Sequence, residues 1–398
     1  MSDARQALDQ VWRADAGSVL GVLARRLGDL DRAEEALQDA AAEALRRWPA
    51  EGVPGNPAGW LVTTAWHRAV NRLRREANGR DKLAALASEP PGQPTGDDRL
   101  ALLFACCHPA LPGPSRVALT LHAVAGLPAE TIAAAYLVPT STMAQRLVRA
   151  KRQLRDGGVR FEAPAPEAYA ERLPAVLAII YLIYNEGYLA SSPDVPQRRE
   201  LAREALELAR QLAILMPAEP EADGLAALLE LHESRAGTRF DDGDLVLLAE
   251  QDRTEWDRDL IRSALARLAR AARRDRPGVY QLEAAIAAKH ALAPSYESTD
   301  WPAVRTLYDH LVVLRPSPVV RLSRAVATAV VDGPAVALAE VDALAGRLGD
   351  YRLWHAARAG LLRDLGRIDE ADAANEAALA CATNPAERAL LTQRLTRG

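Results

Sequence analysis

Residues 140–155 carry side chains of the types and spacing that read nucleic acid. Ser141, Thr142, Gln145, Arg146, Arg149 and Arg152 fall on one side of a helix, with Thr140 at its start. Met143, Leu147, Ala150 and Leu154 recur at i, i+4, i+7 and i+11 on the other side, as one apolar stripe. Short polar side chains at a helix start reach base edges, while arginines further along hold phosphates. Gln145 has the donor–acceptor pair that reads adenine, and Arg146 the fork that reads guanine. Residues 129–136 read as a short helix and Leu137-Val138-Pro139 as a turn, giving a helix-turn-helix. The hydroxyls at 140–142 are expected to cap the second helix. An ordinary helical hairpin with a basic solvent face is the bland alternative.

Two further helices carry charge in a pattern. Asp31, Glu35 and Asp39 form an acidic stripe at i, i+4 and i+8, with Ala33, Leu37 and Ala41 on the apolar side. Asp31-Arg32-Ala33-Glu34 has the spacing of a capping box. A carboxylate stripe repels phosphate and suits a basic protein partner. A loop over 49–57 follows, then a helix over 60–75 whose wet face holds His67, Arg68, Asn71, Arg72, Arg74 and Arg75.

Other reactive side chains form no catalytic pattern. Adjacent Cys106 and Cys107 before His108 are poorly spaced for chelation, and Cys381 is far away, so buried thiols are expected and no metal. His122, His290, His310 and His355 are isolated. There is no Ser/His/Asp signature, P-loop or Gly-rich dinucleotide loop, so the expectation is a non-enzyme without a cofactor.

The elements that position these residues read as all-α, because no run of alternating β-branched residues occurs. With 398 residues, two or three domains are expected. Pro/Gly-rich residues 89–96 read as an extended tether, and 161–166 as a second break. The expected organisation is a domain at 1–85, a linker at 86–97, a helix-turn-helix domain at 98–158 and a long helical region at 167–398. In the last region Gly366 follows Gly333 by 33 positions, near the period of tetratricopeptide (TPR) helix pairs. A non-repetitive bundle is the alternative. Tyr184-Asn185-Glu186-Gly187-Tyr188 ends an apolar helix; it reads either as a contact or hinge, or as a helix stop with Gly187 at the C-cap.

The net charge of −4 hides a partition. Residues 1–160 hold 21 Lys/Arg and 17 Asp/Glu, whereas residues 161–398 carry a net charge of −8. Residues 219–259 hold 13 carboxylates against four arginines. A basic front and an acidic back suggest separate modules. No apolar run approaches the ~18 residues of a membrane span. Three cysteines fit a reducing cytoplasm.

Over residues 10–158 the chain resembles bacterial RNA polymerase sigma factors of the extracytoplasmic-function (ECF) class. Residues 30–39 resemble the segment that, in the family, grips the β′ clamp helices of core polymerase. Trp60-Leu61 and the basic helix after them resemble the −10 segment, and residues 132–151 resemble the −35 reader. His67 and Asn71 stand where the family commonly has Asn and Asp. The whole chain is similar to the sub-group with a long TPR-like C-terminal extension, in which a stretch like residues 184–188 also follows the sigma part. The resemblance implies two small sigma domains on a flexible linker, followed by that extension. It assigns core binding, including the β subunit as partner, to Asp31, Glu34, Glu35, Leu37, Gln38 and Asp39. It assigns −10 binding to the 60–75 helix with Trp60, and −35 binding to the 140–152 face. Asn185, Glu186, Gly187 and Tyr188 become interdomain or regulatory residues, and the extension is expected to bind a protein partner or act in cis. The rival expectation is a helix-turn-helix regulator that does not replace sigma.

Overall fold

The computed structural model describes residues 3–76, 92–136, 138–190, 197–241 and 243–396. Among them the structure is helical apart from one hairpin, β1 (Phe240–Asp241) paired antiparallel with β2 (Asp244–Leu245). Most of the proline-rich tether lies outside the described residues; residues 92–95 are non-helical. The chain divides into two compact units, up to Leu182 and from Ile183 onward.

In the first unit α1 (Asp3–Leu27), α2 (Leu30–Glu51) and α3 (Pro57–Glu76) pack on one another. The cap of α2 lies two residues before the expected position. Gly28, at φ +66°, ends α1, and extended Asp29 accepts from the Arg32 N–H at 3.2 Å. This start turns Leu30, Ala33, Leu37, Ala40, Ala44 and Trp48 inward. The helix also outlasts the expected break at Pro49. A proline so near the end removes a single interior N–H, and the Gly52 N–H bonds to Trp48 O at 3.0 Å to close the last turn.

Next come α4 (Gly96–Cys106), α5 (Gly113–Leu119), a π-helical turn (Thr120–Val124), α6 (Ala129–Ala135) and α7 (Thr140–Asp156). Asp98 accepts from both the N–H and hydroxyl of Thr95, at 2.9 and 2.7 Å, and so caps α4. Asp98 is also paired with Arg25 of α1 at 2.8 Å, and only 1% exposed. The first helices therefore pack directly on the second segment. The stripe Met143, Leu147, Ala150 and Leu154 is buried as its spacing demands. The expected cap at 140–142 is displaced: Pro139 occupies the N-cap and no side chain caps the helix. Its extended backbone (φ −55°, ψ 142°) leaves the three hydroxyls in the first turn, exposed to solvent. Leu137 of the expected turn lies outside the described residues.

The unit division falls within α8 (Tyr169–Tyr188). At its start, Tyr169 stacks on Phe104 and Arg172 donates to Phe104 O at 2.8 Å. At its end, Gly187 is helical and caps nothing. A Cβ there would lie 2.2 Å from Ala202 N and 2.8 Å from Ala202 Cα, on α9 (Arg199–Leu215). Close backbone approach, rather than a turn, is what this position needs.

The second unit continues with α10 (Pro220–Ser234), α11 (Arg258–Ala272), α12 (Val279–Leu292), α13 (Trp301–Leu314), α14 (Pro318–Asp332), α15 (Pro334–Asp342), α16 (Ala345–Leu348), α17 (Arg352–Asp364), α18 (Ile368–Cys381) and α19 (Pro385–Thr396). Helix α10 is central: its apolar residues are buried along its length, and its fully buried Glu230 holds Arg210 and Arg267. Gly333 and Gly366, at φ +94° and +74°, form the turns before α15 and α18, a backbone region that favours glycine. The last helix returns to the start of the unit: Asn384 Nδ2 donates to Ala190 O at 2.8 Å, and α19 packs on β2.

Replacing Gly187 by alanine forces α8 and α9 apart at backbone atoms that cannot rotate away. Overpacking of this kind costs about 1–3 kcal/mol, so Gly187→Ala is expected to lower the thermal midpoint of the full chain. An unchanged midpoint would contradict the close approach.

Candidate nucleic-acid interface

Helix α7 divides its side chains between two directions. Thr140, Ser141, Thr142, Gln145, Arg149 and Arg152 are exposed, and Arg146 is partly so. Arg152 is tied to Asp156 at 3.2 Å, one turn on. This leaves the first two turns open to a DNA groove, on the side away from the buried stripe.

The opposite flank of α7 faces α2. Lys151 Nζ lies 2.7 Å from Asp31 Oδ1 and 2.7 Å from Glu34 Oε2. Arg155 stands 3.5 Å from both Asp29 and Asp31. His122 Nε2 is 3.7 Å from Glu34 Oε1, an ion-pair distance rather than a hydrogen bond, while its Nδ1 meets Leu127 O at 2.8 Å. Part of the expected polymerase-binding stripe is thus occupied by α7 of the same unit. Lys151, Arg155 and His122 are neighbours of this stripe that sequence reasoning missed. Lys151 and Glu34 are 117 positions apart, and no local pattern connects them.

These groups tune one another. Burial alone would raise the Glu34 carboxyl, but His122 and Lys151 outweigh it and hold it below the usual carboxylate value. Burial would lower His122 and Lys151, but the carboxylates beside them outweigh it and raise both.

The rest of the stripe is open or paired differently. Gln38 and Glu35 are exposed, and Glu35 forms an ion pair with Arg72 of α3. Asp39 is half-buried and lines, with Arg32, Glu35, Arg68 and Arg72, a cleft between α2 and α3. Leu37 is 3% exposed, so it belongs to the core and is no contact for a partner in this arrangement. The wet face of α3 splits as well. His67, Asn71, Arg74 and Arg75 are exposed, whereas Arg68 is paired with Glu43 and Arg72 with Glu35. Those two arginines are partly neutralised, and Arg74 and Arg75 remain as cations facing solvent. Trp60 meets Trp48 edge to face at 5.5 Å, which fixes the start of α3.

Neither cysteine of the 106–107 pair is poised for reaction. Both thiols are buried; burial pushes Cys107 up to about 11, and Cys106 is raised well above its ordinary value. Among the described residues no group of His, Cys, Asp or Glu is arranged to hold a metal ion. No helix there is long and apolar enough to cross a membrane. Asn185 is exposed, Glu186 is 3.9 Å from Arg198, and Tyr188 is buried beside Tyr184 and His232.

A helix-turn-helix beside a helical unit with an acidic face and a basic face defines a class: a helical nucleic-acid-binding protein that also offers a surface to protein. Comparison with known proteins is specific. The sigma-70 region 2 family matches residues 11–79, and the sigma-70 region 4 family matches 101–154. A family of unknown function, DUF6596, matches 172–272. Uncharacterized protein R00370 of Rhizobium meliloti is 44% identical over 389 residues, covering 94% of this chain and 92% of that protein. The probable ECF RNA polymerase sigma factor SigI of Mycobacterium tuberculosis is 24% identical over 159 residues, covering 37% of this chain and 54% of that protein. No solved structure matches the chain. The chain belongs to the ECF-like sigma factors that carry a C-terminal extension. Sigma-70 proteins are non-enzymatic transcription factors whose domains imply binding to core RNA polymerase and promoter DNA.

The cluster around Glu34 has a defined pH window. His122, raised above its usual 6.5, stabilises fully below that value, and the gain is lost as pH rises through its folded pKa. Glu34, lowered from 4.5, stabilises above that value, and the gain is lost as pH falls through its folded pKa. Urea unfolding should therefore show His122→Gln costing more stability at about pH 6 than at about pH 8. An equal cost at both would contradict the pairing.

Proposed function

We propose that this chain engages core RNA polymerase through α2 and directs it to promoters with α3 and α7, under the control of its C-terminal extension. The exposed reading face of α7 carries the proposal. It has open base-reading side chains at its start, within the segment matched by sigma-70 region 4. In the working complex the exposed cations of α3 hold the backbone of the −10 strand, and α7 reads the −35 duplex in the major groove. Both readers bound to one polymerase gain effective concentration, so each can bind weakly alone.

The contact between α2 and α7 sets a condition on this activity. Asp31 and Glu34 cannot hold Lys151 and a basic polymerase surface at once. The first unit opens along that contact before its stripe becomes available. Opening is a two-state equilibrium that polymerase shifts by binding one state better. The extension then acts on that equilibrium or on the bound complex, in cis or through a protein partner of its TPR-like helix pairs. The cytoplasm, where core polymerase and promoter DNA meet, is the compartment this reading assigns.

Run-off transcription with purified core polymerase tests the reading. The full chain is expected to yield a promoter-specific transcript without another sigma factor; a regulator that does not replace sigma gives none. Lys151→Ala with Arg155→Ala is expected to bind core, without DNA, roughly fivefold more tightly, as loss of a partly buried ion pair frees the stripe. Affinity at or below wild type would remove the opening step. A chain ending at Leu182, which keeps the contacts of α8 with Phe104, is expected to initiate at an altered level. Unchanged output would remove control by the extension.

A further inference from the structure

Two arginines and a histidine gather on Tyr188 in the second unit, where α8 and α10 end. Arg235 follows the last turn of α10 and Arg239 the short 3-10 turn after it. His232 lies in the last turn of α10. The charge of Arg235 acts on Arg239 and His232, in each case against the protonated form. Tyr188 serves as a platform: the Arg239 guanidinium lies 3.8 Å and that of Arg235 5.6 Å from its ring centre. The His232 ring meets the same tyrosine at 5.4 Å.

Stacking uses the face of a guanidinium and leaves its N–H edge to find an acceptor. Arg239 Nε finds none, and His232 Nδ1 and Tyr188 Oη are likewise shielded from solvent and without a hydrogen-bond partner. Tyr188 is 7% exposed, so bulk water does not replace the missing partner. Neighbouring carboxylates are engaged elsewhere. Glu233 holds Arg199 and accepts from Tyr184, and Glu186 is turned to Arg198. Buried like charges with unmet donors are costly unless something negative sits among them.

We propose that Tyr188, His232, Arg235 and Arg239 form a binding site for a small ligand bearing a phosphoryl or carboxyl group. The guanidinium edges and the imidazole N–H donate to the anionic oxygens, and the tyrosine hydroxyl closes the set. Burial beside the arginines holds His232 down to about 3, so its imidazole stays neutral and has one N–H to give. The site belongs to the extension alone and stands whether or not the extension controls initiation.

Titration calorimetry and thermal melting of the full-length protein test this, in a chloride buffer at constant ionic strength. Inorganic phosphate and citrate are the two probes. Saturable binding of either, with a rise in melting temperature, is expected. Phosphate alone identifies a phosphoryl ligand, and citrate alone a carboxylate ligand. Arg239→Gln is expected to weaken binding about tenfold or more, the loss of one charge-assisted bond. Tyr188→Phe keeps the platform, removes only the hydroxyl and is expected to weaken binding by a smaller factor. It serves as the variant if Arg239→Gln does not fold. Absence of saturable binding by both anions at millimolar concentration overturns the proposal. Wild-type affinity in a folded Arg239→Gln protein, or in Tyr188→Phe if the former is unfolded, also overturns it.

Discussion

The first unit depends on one ammonium group held between two carboxylates. Lys151 bridges Asp31 and Glu34 with both side-chain contacts at 2.7 Å, at a site where Lys151 and Glu34 are largely shielded from water. Two carboxylates brought this close repel unless a cation lies between them, and the bridge ties α2 to α7. It is one of three lysines among 49 basic side chains. A compact ammonium with three rotatable donors suits a gap between two carboxylates, where a planar guanidinium demands a fork-like partner. The helix that presents Gln145 and Arg149 to solvent also closes part of the acidic face through its other flank.

The second unit shows the same separation between net charge and local charge. Residues 219–259 are strongly acidic as a segment. Yet two of their four arginines converge on Tyr188, while the carboxylates on α10 are drawn into other pairs with Arg210, Arg267 and Arg199. Gly187 contributes by letting α9 approach α8 at backbone distance, beside the platform tyrosine. The return of α19 to Ala190 and β2 joins the end of the unit to its beginning. A simple stack of repeats has no such contact, because each repeat touches only its neighbours.

Much of the helical architecture was legible because it follows from periodicity. The Met143–Leu154 stripe and the inward side of α2 are buried where their spacing puts them. The exposed start of α7 was legible for the same reason. Boundaries were less so. Asp29 rather than Asp31 caps α2, since Gly28 needs its positive φ first, and Pro139 takes the place expected of the hydroxyls. Gly187 read equally as part of a contact or hinge and as a helix stop, and nothing within the segment reveals that Ala202 lies against it.

The sequence by itself determined the helices, the two basic helix faces, the acidic stripe and the family these resemble. Each is a short-range property, set by residues within a turn or two of one another. Only the tertiary structure decided which charges remain available. Arg68 and Arg72 are partly neutralised by Glu43 and Glu35, and Asp31 and Glu34 are taken by Lys151, whereas Arg235 and Arg239 are brought together on the ring of Tyr188. An electrostatic partner is chosen by distance in space and by shielding from water. Those pairings span tens to more than a hundred positions, and the chain records them only once it has folded.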